Sequence, residues 1–451
     1  MADILHTSPN DWKYVSEGGA TIVFSYKGPP NPDFDGTVLR LRKSIVPANG
    51  AKRVAHASFA QEEPDDPTIE YQAKCMEKLI PPEHLPRLET VFLNKEWLRK
   101  LSDLKDALRP EGRRAKDEID LNRKKGVLAT DLVGGNWVAV EIKPKWAFLP
   151  SPTHLSTETK SVKTQTCRFC MHSHLRSQEG EKVVTDYCPL DLFSGQKSRV
   201  LNAINSLWNA WLASEATVNN LKIFSRGKFL RPSEAHAMLA DNTSKETQLD
   251  TIRDTFAAAL VRYLLQTPVL SILSRLQRNL DVLDIEGLSK LWKFTESSAP
   301  LYRTTFASFF EQTSDSPSSA PPSTPLGVSS LFLNAPEPSI PDWIDFLDKY
   351  LSSDRPELDH NNPSPKYLHY YLLAYLLSAT FKDCSIIIRM DMLEPGTEPT
   401  ADIRPESVTV IDLDPKSMDK LRGWEKLDND IVRTYSSAQK KVCVDEWQAP
   451  R

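Results

Sequence analysis

Cysteine is scarce in this sequence, long apolar runs are missing, and neither sign of charge dominates. Six cysteines in 451 residues are too few for a disulfide scaffold and point to a reducing compartment. The longest apolar run, residues 370–379, falls far short of the ~20 residues that a membrane helix needs. The opening MADILHTSPNDWK is polar and unlike a signal peptide. A soluble protein of the nucleus or cytoplasm is the expectation. With 56 Lys and Arg against 60 Asp and Glu, the formal net charge is −4, so nucleic acid is not expected as the main ligand. Any strongly anionic ligand must be drawn by a local field. No internal repeat is present. The balance of 40% apolar and 26% charged residues is that of an ordinary globular chain. The length suits two domains or one large two-lobed one.

Against this plain background one stretch stands out. Residues 141–150 read EIKPKWAFLP and follow an apolar run. Residues 138–142 have the β-branched, nearly uncharged look of a buried strand. Along an extended chain side chains alternate, so Lys143 and Lys145 are expected on the same side. Pro144 stiffens the pair by fixing its own φ and biasing Lys143 toward extended backbone. A solvated strand end would explain two such lysines; so would a rigid clamp for a strong anion, because fixed cations lose little entropy on binding.

The rest of the chain supplies a frame. Residues 20–26 and 37–42 read as two strands joined by the turn-forming KGPPNPDFDG. Residues 70–108 read as helical, 109–126 as basic and polar, and 127–142 as a second strand region. Residues 196–215 and 245–293 carry helical periodicity, as do 366–381, which lead into strands at 385–390 and 408–413. Residues 311–341 are rich in Ser and Pro and read as a mobile insertion.

The order of the motifs is informative. A glycine-bearing hairpin (Glu17, Gly18, Gly19, Ala20) is followed by a strand with the cation Arg40, then the lysine pair. Late in the chain come KDCS, with Asp383, and IDLDPK, with Asp412 and Asp414. That is the order of a kinase-like phosphotransferase, in which one aspartate meets the acceptor hydroxyl and a later one holds Mg²⁺. No HRD or DFG is present, and the glycines do not follow the protein-kinase loop.

The blocks EGGATIVFSY (17–26), EIKPKWAFLP, CRFCMHSHLR (167–176), YCPLDLFSG (187–195), KDCSIIIR (382–389) and IDLDPK (411–416) together closely resemble the signatures of the inositol-pentakisphosphate 2-kinase family. Thr21 and Ala147 depart from the Asn and Gly usual there, which touches loop geometry rather than charge. The resemblance implies an α+β, two-lobed kinase-like fold. Residues 1–135 would form a small β-rich N-lobe, and 136–451 a larger C-lobe holding the inositide. It implies transfer of phosphate from ATP, with Mg²⁺, to the 2-hydroxyl of inositol 1,3,4,5,6-pentakisphosphate, giving the hexakisphosphate, phytate; a monomer is the expectation. The alternative is a non-catalytic inositol-phosphate or RNA binding protein with the same basic pocket. A pure anion receptor gains nothing from carboxylates among phosphates.

The resemblance also distributes roles. Glu17, Gly18, Gly19 and Ala20 would cover the ATP phosphates, Arg40 would meet a nucleotide phosphate, and Asp131 would lie near the adenine. Glu141 would touch ribose or metal, or else pair with Lys143. Lys143, as a catalytic cation, and Lys145 would bind phosphates. Asp383 would act on the acceptor hydroxyl, and Asp412 with Asp414 would hold Mg²⁺. Arg176, Lys416, Lys420 and Trp424 would bind the inositide, with Lys197, Asn219 and Asn220 as further pocket residues. Arg109 and Arg113 are either substrate contacts from the N-lobe or plain surface charge. Finally, Cys167, Cys170, His172 and Cys188 have ligand types for structural zinc. A lone CxxC with histidines two and four residues on is poor finger spacing, so zinc is not expected.

Overall fold

Alternation along residues 21–26 puts Ile22, Phe24 and Tyr26 on one side of a strand, all buried. Two such strands cannot cover their own apolar face, and in the computed structural model that face is closed by a helix. The structure describes residues 2–45, 63–135, 137–184, 186–239, 245–297, 335–352, 358–390, 403–438 and 441–446. The strands are Ala2–Asp3 (β1), Trp12–Glu17 (β2), Thr21–Tyr26 (β3), Thr37–Ile45 (β4), Leu88–Phe92 (β5), Asp117–Ile119 (β6) and Lys125–Thr130 (β7). They form a seven-stranded sheet in the order β1-β5-β7-β4-β3-β2, with β6 on β4. The helix Lys95–Lys105, capped by Asn94, sets Trp97, Leu98 and Leu101 against Trp12, Phe24, Leu39, Leu41 and Leu128.

A second sheet has the order β10-β9-β8-β11-β12. Its strands are Val138–Ile142 (β8), Leu221–Ser225 (β9), Lys228–Leu230 (β10), Ser385–Met390 (β11) and Val408–Ile411 (β12). Antiparallel pairing sets Ile142 against both Leu221 and Ile386, so one end of this sheet gathers Lys143, Asn220 and Ser385. Both sheets belong to one compact unit, Met1–Ile142 with Leu221–Gln248 and Ile386–Ile411.

The other unit, Lys143–Asn220 with Leu249–Ser385 and Asp412–Arg451, is built of helices. Its centre is Leu368–Asp383, buried on nearly every face from Tyr371 to Lys382. A buried ion network ties four helices here. Lys163 lies 2.5 Å from Asp284 and 2.8 Å from Asp428, which also takes Arg168 at 2.9 Å. Among the described residues no single helix is long and apolar enough to cross a membrane.

Three expectations need correction. The helical reading of 70–108 is interrupted by β5, which pairs with β7 from Leu88↔Ala129 to Phe92↔Lys125; tertiary pairing overrides local pattern there. The strand expected at 408–413 stops at Ile411, because Asp412 adopts φ 63. Most of the 311–341 stretch lies outside the described residues, but its end opens the helix Ile340–Leu351, capped by Ser339 and Asp342.

Candidate active site

The site grows from strand ends. Beyond β8 the pairing runs one residue further: the Lys143 N–H donates to the Asn220 carbonyl at 3.0 Å, and Asn220 Nδ2 returns a bond to the Lys143 carbonyl at 3.4 Å. The Pro144 carbonyl accepts from the buried Tyr187 hydroxyl at 2.8 Å. Lys145 then turns left-handed, with φ 68. The extended alternation expected for the two lysines therefore fails, and they reach different carboxylates. Lys143 Nζ lies 3.4 Å from Asp412, and Lys145 Nζ 3.1 Å from Asp383.

Asp383, the last residue of its helix, is held on both oxygens. Oδ1 takes Lys145, and Oδ2 takes Lys416 at 2.9 Å. Burial pushes this carboxyl up, but Lys145 and Lys416 outweigh it and hold the pKa below the ordinary 3.8. Asp412 is held on one oxygen only. Its Oδ2 meets Lys143 and also accepts from Ser385 Oγ at 3.1 Å. Among the described residues Oδ1 has no partner. The exposed Asp414 gives its carbonyl to Thr380 at 3.3 Å, and its carboxylate has no partner among the described residues. Two open carboxylates two residues apart are the donor type that a hard cation takes.

Behind the site, Lys382 points inward where Asp383 points out. Its Nζ sits 2.5 Å from Asp281 and over the rings of Trp146, at 4.1 Å, and Tyr375, at 4.9 Å. Burial pushes this ammonium pKa down while Asp281 pulls against it. This anchor fixes the helix end that carries Asp383. Sequence reading passed over Lys382 and Ser385, since nothing in the string distinguishes an inward lysine from an outward one.

The other expected residues have contacts of their own. Glu141, buried on β8, pairs across the strands with Lys222 at 2.9 Å. Glu17 and Arg109 are spent on a buried network. Arg109 lies 2.9 Å from Glu17 and 2.6 Å from Asp117, and Lys43 joins both acids. They shape the base of the β2–β3 hairpin. The Gly18 N–H closes that turn on the Thr21 carbonyl, near Ala20, and Arg113 reaches the Gly18 carbonyl at 3.5 Å. A Cβ at Gly18 or Gly19 would meet nothing within 4 Å, so the fold itself does not require glycine there; a close-lying ligand would.

Arg40 alternates with Leu39 and Leu41 and so leaves the core face of β4. Its neighbours Arg42 and Lys43 are ion-paired, whereas Arg40 has no acidic partner among the described residues. Asp131 is nine-tenths buried or more and holds a turn, accepting from the Ser25 hydroxyl and from the Val133 and Gly134 N–H groups. Lys420 and Trp424 lie on the helix Lys420–Tyr435, with Trp424 against Tyr375. Lys197 opens the helix Lys197–Ala213 and is exposed, as is Asn219.

Arg176 pairs with Glu181 and lines a cleft of about 390 Å³ with His172. Burial, then Arg168 and Arg176, push the His172 pKa down to about 4. His172 is thus apart from the cysteines. Two residues along a helix turn it about 200° away from Cys170. The fourth member of the cluster is Cys443 instead: the ligand atoms of Cys167, Cys170, Cys188 and Cys443 all lie within 4.8 Å of one another, and all four residues are buried. Tetrahedral zinc–thiolate bonds of about 2.3 Å separate sulfurs by about 3.8 Å, and Cys167 and Cys188 are 3.9 Å apart. The donor set and spacing fit that metal.

Comparison with known proteins gives the family. The family described as inositol-pentakisphosphate 2-kinase matches residues 14–430. A protein of Cryptococcus neoformans named inositol-pentakisphosphate 2-kinase is 34% identical over 95% of this chain and 94% of its own. Proteins of the same name from Arabidopsis thaliana and Danio rerio are 26% and 27% identical, over 96% and 94% of this chain and 94% and 93% of theirs. The chain belongs to the inositol-pentakisphosphate 2-kinase family, phosphotransferases that act on an alcohol acceptor.

Proposed function

We propose that the protein transfers the γ-phosphate of ATP to the 2-hydroxyl of inositol 1,3,4,5,6-pentakisphosphate, giving the hexakisphosphate. The observation that carries this reading is the pairing of Lys145 and Lys416 on Asp383 beside Lys143 and Ser385 on Asp412. The acceptor brings roughly ten negative charges, and three lysines on short, fixed segments offer them contacts at small entropic cost. Asp383 orients the acceptor hydroxyl. Its lowered pKa keeps it ionised at neutral pH, so it accepts a hydrogen bond early and the proton late. Phosphoryl transfer needs little more, since positioning and charge stabilisation dominate.

Asp412 and Asp414 would hold Mg²⁺, which neutralises charge on the transferred group. Arg40, with Gly18 and Gly19, would meet the nucleotide phosphates. Cys167, Cys170, Cys188 and Cys443 would hold a structural zinc ion that pins the C-terminal 441–446 segment to the helix Arg168–Gln178. No disulfide joins any of the six cysteines, which suits a reducing compartment, the nucleus or cytoplasm.

The deciding experiment incubates the protein with Mg-ATP and inositol pentakisphosphate and separates the products. Hexakisphosphate formed by the wild type and lost in Asp383→Asn supports the reading. Tight inositide binding without transfer would instead make the protein a receptor. Metal analysis should find about one zinc per chain, and none in Cys443→Ser; a metal-free wild type would remove the zinc assignment.

A further inference from the structure

One buried amide joins the two segments that carry Lys145 and Asp383. Gln277, on the helix Val269–Leu280, has no exposed surface. Its Nε2 donates to the Lys145 carbonyl and to the Phe381 carbonyl, each at 3.0 Å. Its Oε1 accepts from the Ala147 N–H at 2.9 Å. Its own main-chain carbonyl accepts from Ser378 Oγ at 2.8 Å. A flipped amide would face its oxygen to two carbonyls and its NH₂ to an N–H, so the partners dictate the orientation.

These bonds fall where the backbone is least self-supporting. Lys145 holds φ 68, a conformation that residues with a Cβ seldom keep unless their surroundings impose it. Gln277 grips the chain on both sides of the next residue, Trp146, at the Lys145 carbonyl and the Ala147 N–H. Phe381 lies in the last turn of its helix, where carbonyls run out of intrahelical donors, two residues before Asp383. The same side chain therefore sets the position of both partners of the 3.1 Å Lys145–Asp383 contact. Nothing in the string LSRLQRNLD marks this glutamine, because an internal helical Gln usually faces water.

We propose that Gln277 is a positioning residue for phosphoryl transfer, holding left-handed Lys145 and the helix end bearing Asp383 in one frame. The oriented carboxylate that meets the acceptor hydroxyl depends on that frame. The inference rests on the role given above to Asp383. A purely structural glutamine would support folding but would not act through this pair.

The test is a double-mutant cycle on the full chain, with kcat and the KM for ATP measured alongside thermal melts. Gln277→Met keeps the volume and removes both donors. It should lower kcat roughly 10- to 100-fold, the loss expected from a misplacement near 1 Å, with the KM for ATP within about twofold. In the Asp383→Asn background the same change should cost little more, because the pair is already broken. An equal penalty in both backgrounds, or an unchanged kcat in Gln277→Met, would overturn the proposal. Full turnover by Asp383→Asn alone would instead remove the role of Asp383, and the inference with it. If Gln277→Met does not fold, Gln277→Glu gives the answer. Its buried acid regains one donor on protonation, so its kcat relative to wild type should climb as pH falls. A pH-independent ratio would refute the role.

Discussion

Asp383 and Asp412 are both half-exposed aspartates beside lysines, yet their oxygens are used differently. Asp383 has one lysine on each oxygen, which fixes the plane of the carboxylate. Asp412 crowds Lys143 and Ser385 onto one oxygen and leaves the other for a ligand. An amide is a poor ligand for a hard cation. Asp412→Asn should therefore lose Mg-dependent ATP affinity together with activity, while Asp383→Asn keeps ATP binding and loses turnover by about a hundredfold or more. Calorimetry with Mg-ATP showing the opposite pattern would exchange the two roles. The pH response follows from the same contacts. A carboxyl whose folded pKa is depressed adds stability above its unfolded pKa, near 3.8, and loses it as pH falls through the lower folded value. The Asp383 limb of kcat should thus lie below about pH 4. Lys145→Ala removes a cation that lowers this pKa, so the limb should move to higher pH; an unmoved limb would show that Lys145 does not act on Asp383.

At the scale of elements, what the string shows and what it hides divide along a physical line. The β-branched runs of β3, β8 and β11 and the long apolar helix Leu368–Asp383 read directly, because their pattern is local. β5 (LETVF) and β9 (LKIFS) do not, since each carries a charged residue in a five-residue run and owes its form to the strands it pairs with. The lysines and aspartates were legible as a set from their motifs. Their partners were not: alternation fails at Lys145 and Asp412, two left-handed residues that a sequence without glycine there does not announce. Cys443 joins Cys167 and Cys170 across nearly the whole of the helical unit's length of chain, so spacing alone favoured His172. Burial decides the energetics of the Lys163 network in the same way. Burial pushes its ammonium pKa down, yet Asp284 and Asp428 raise it further. Lys163→Met would leave the enclosed Asp284 without its cation, and Asp428 with Arg168 alone, and should destabilise the helical unit by about 3–5 kcal/mol. Denaturant unfolding checks this, and a loss under about 1 kcal/mol would mean that water relieves the acids.

For the whole molecule the question is how a chain of net charge −4 receives a polyanion at all. Exposed charges interact over about 8 Å at physiological ionic strength, so remote acids are screened and only the nearby field counts. That field comes from Lys143, Lys145 and Lys416, which are a quarter exposed or less while their aspartate partners are half exposed. Bringing phosphates to them exchanges one weak surface pairing for several strong charge-assisted bonds, and each new bond is subject to screening. The folded state leans on different pairs, Lys163 with Asp284 and Asp428 and Lys382 with Asp281, which are enclosed and shielded from added ions. Salt should therefore separate binding from stability. Raising ionic strength from about 0.05 to 0.3 M should weaken inositol-pentakisphosphate binding tenfold or more, while the melting temperature of the ligand-free protein shifts by only about a degree or two. Titration calorimetry and thermal melts across the same salt series measure both. Affinity that holds constant while the protein loses stability would place the polyanion on enclosed cations instead, and the lysine cluster at the sheet end would not be its seat.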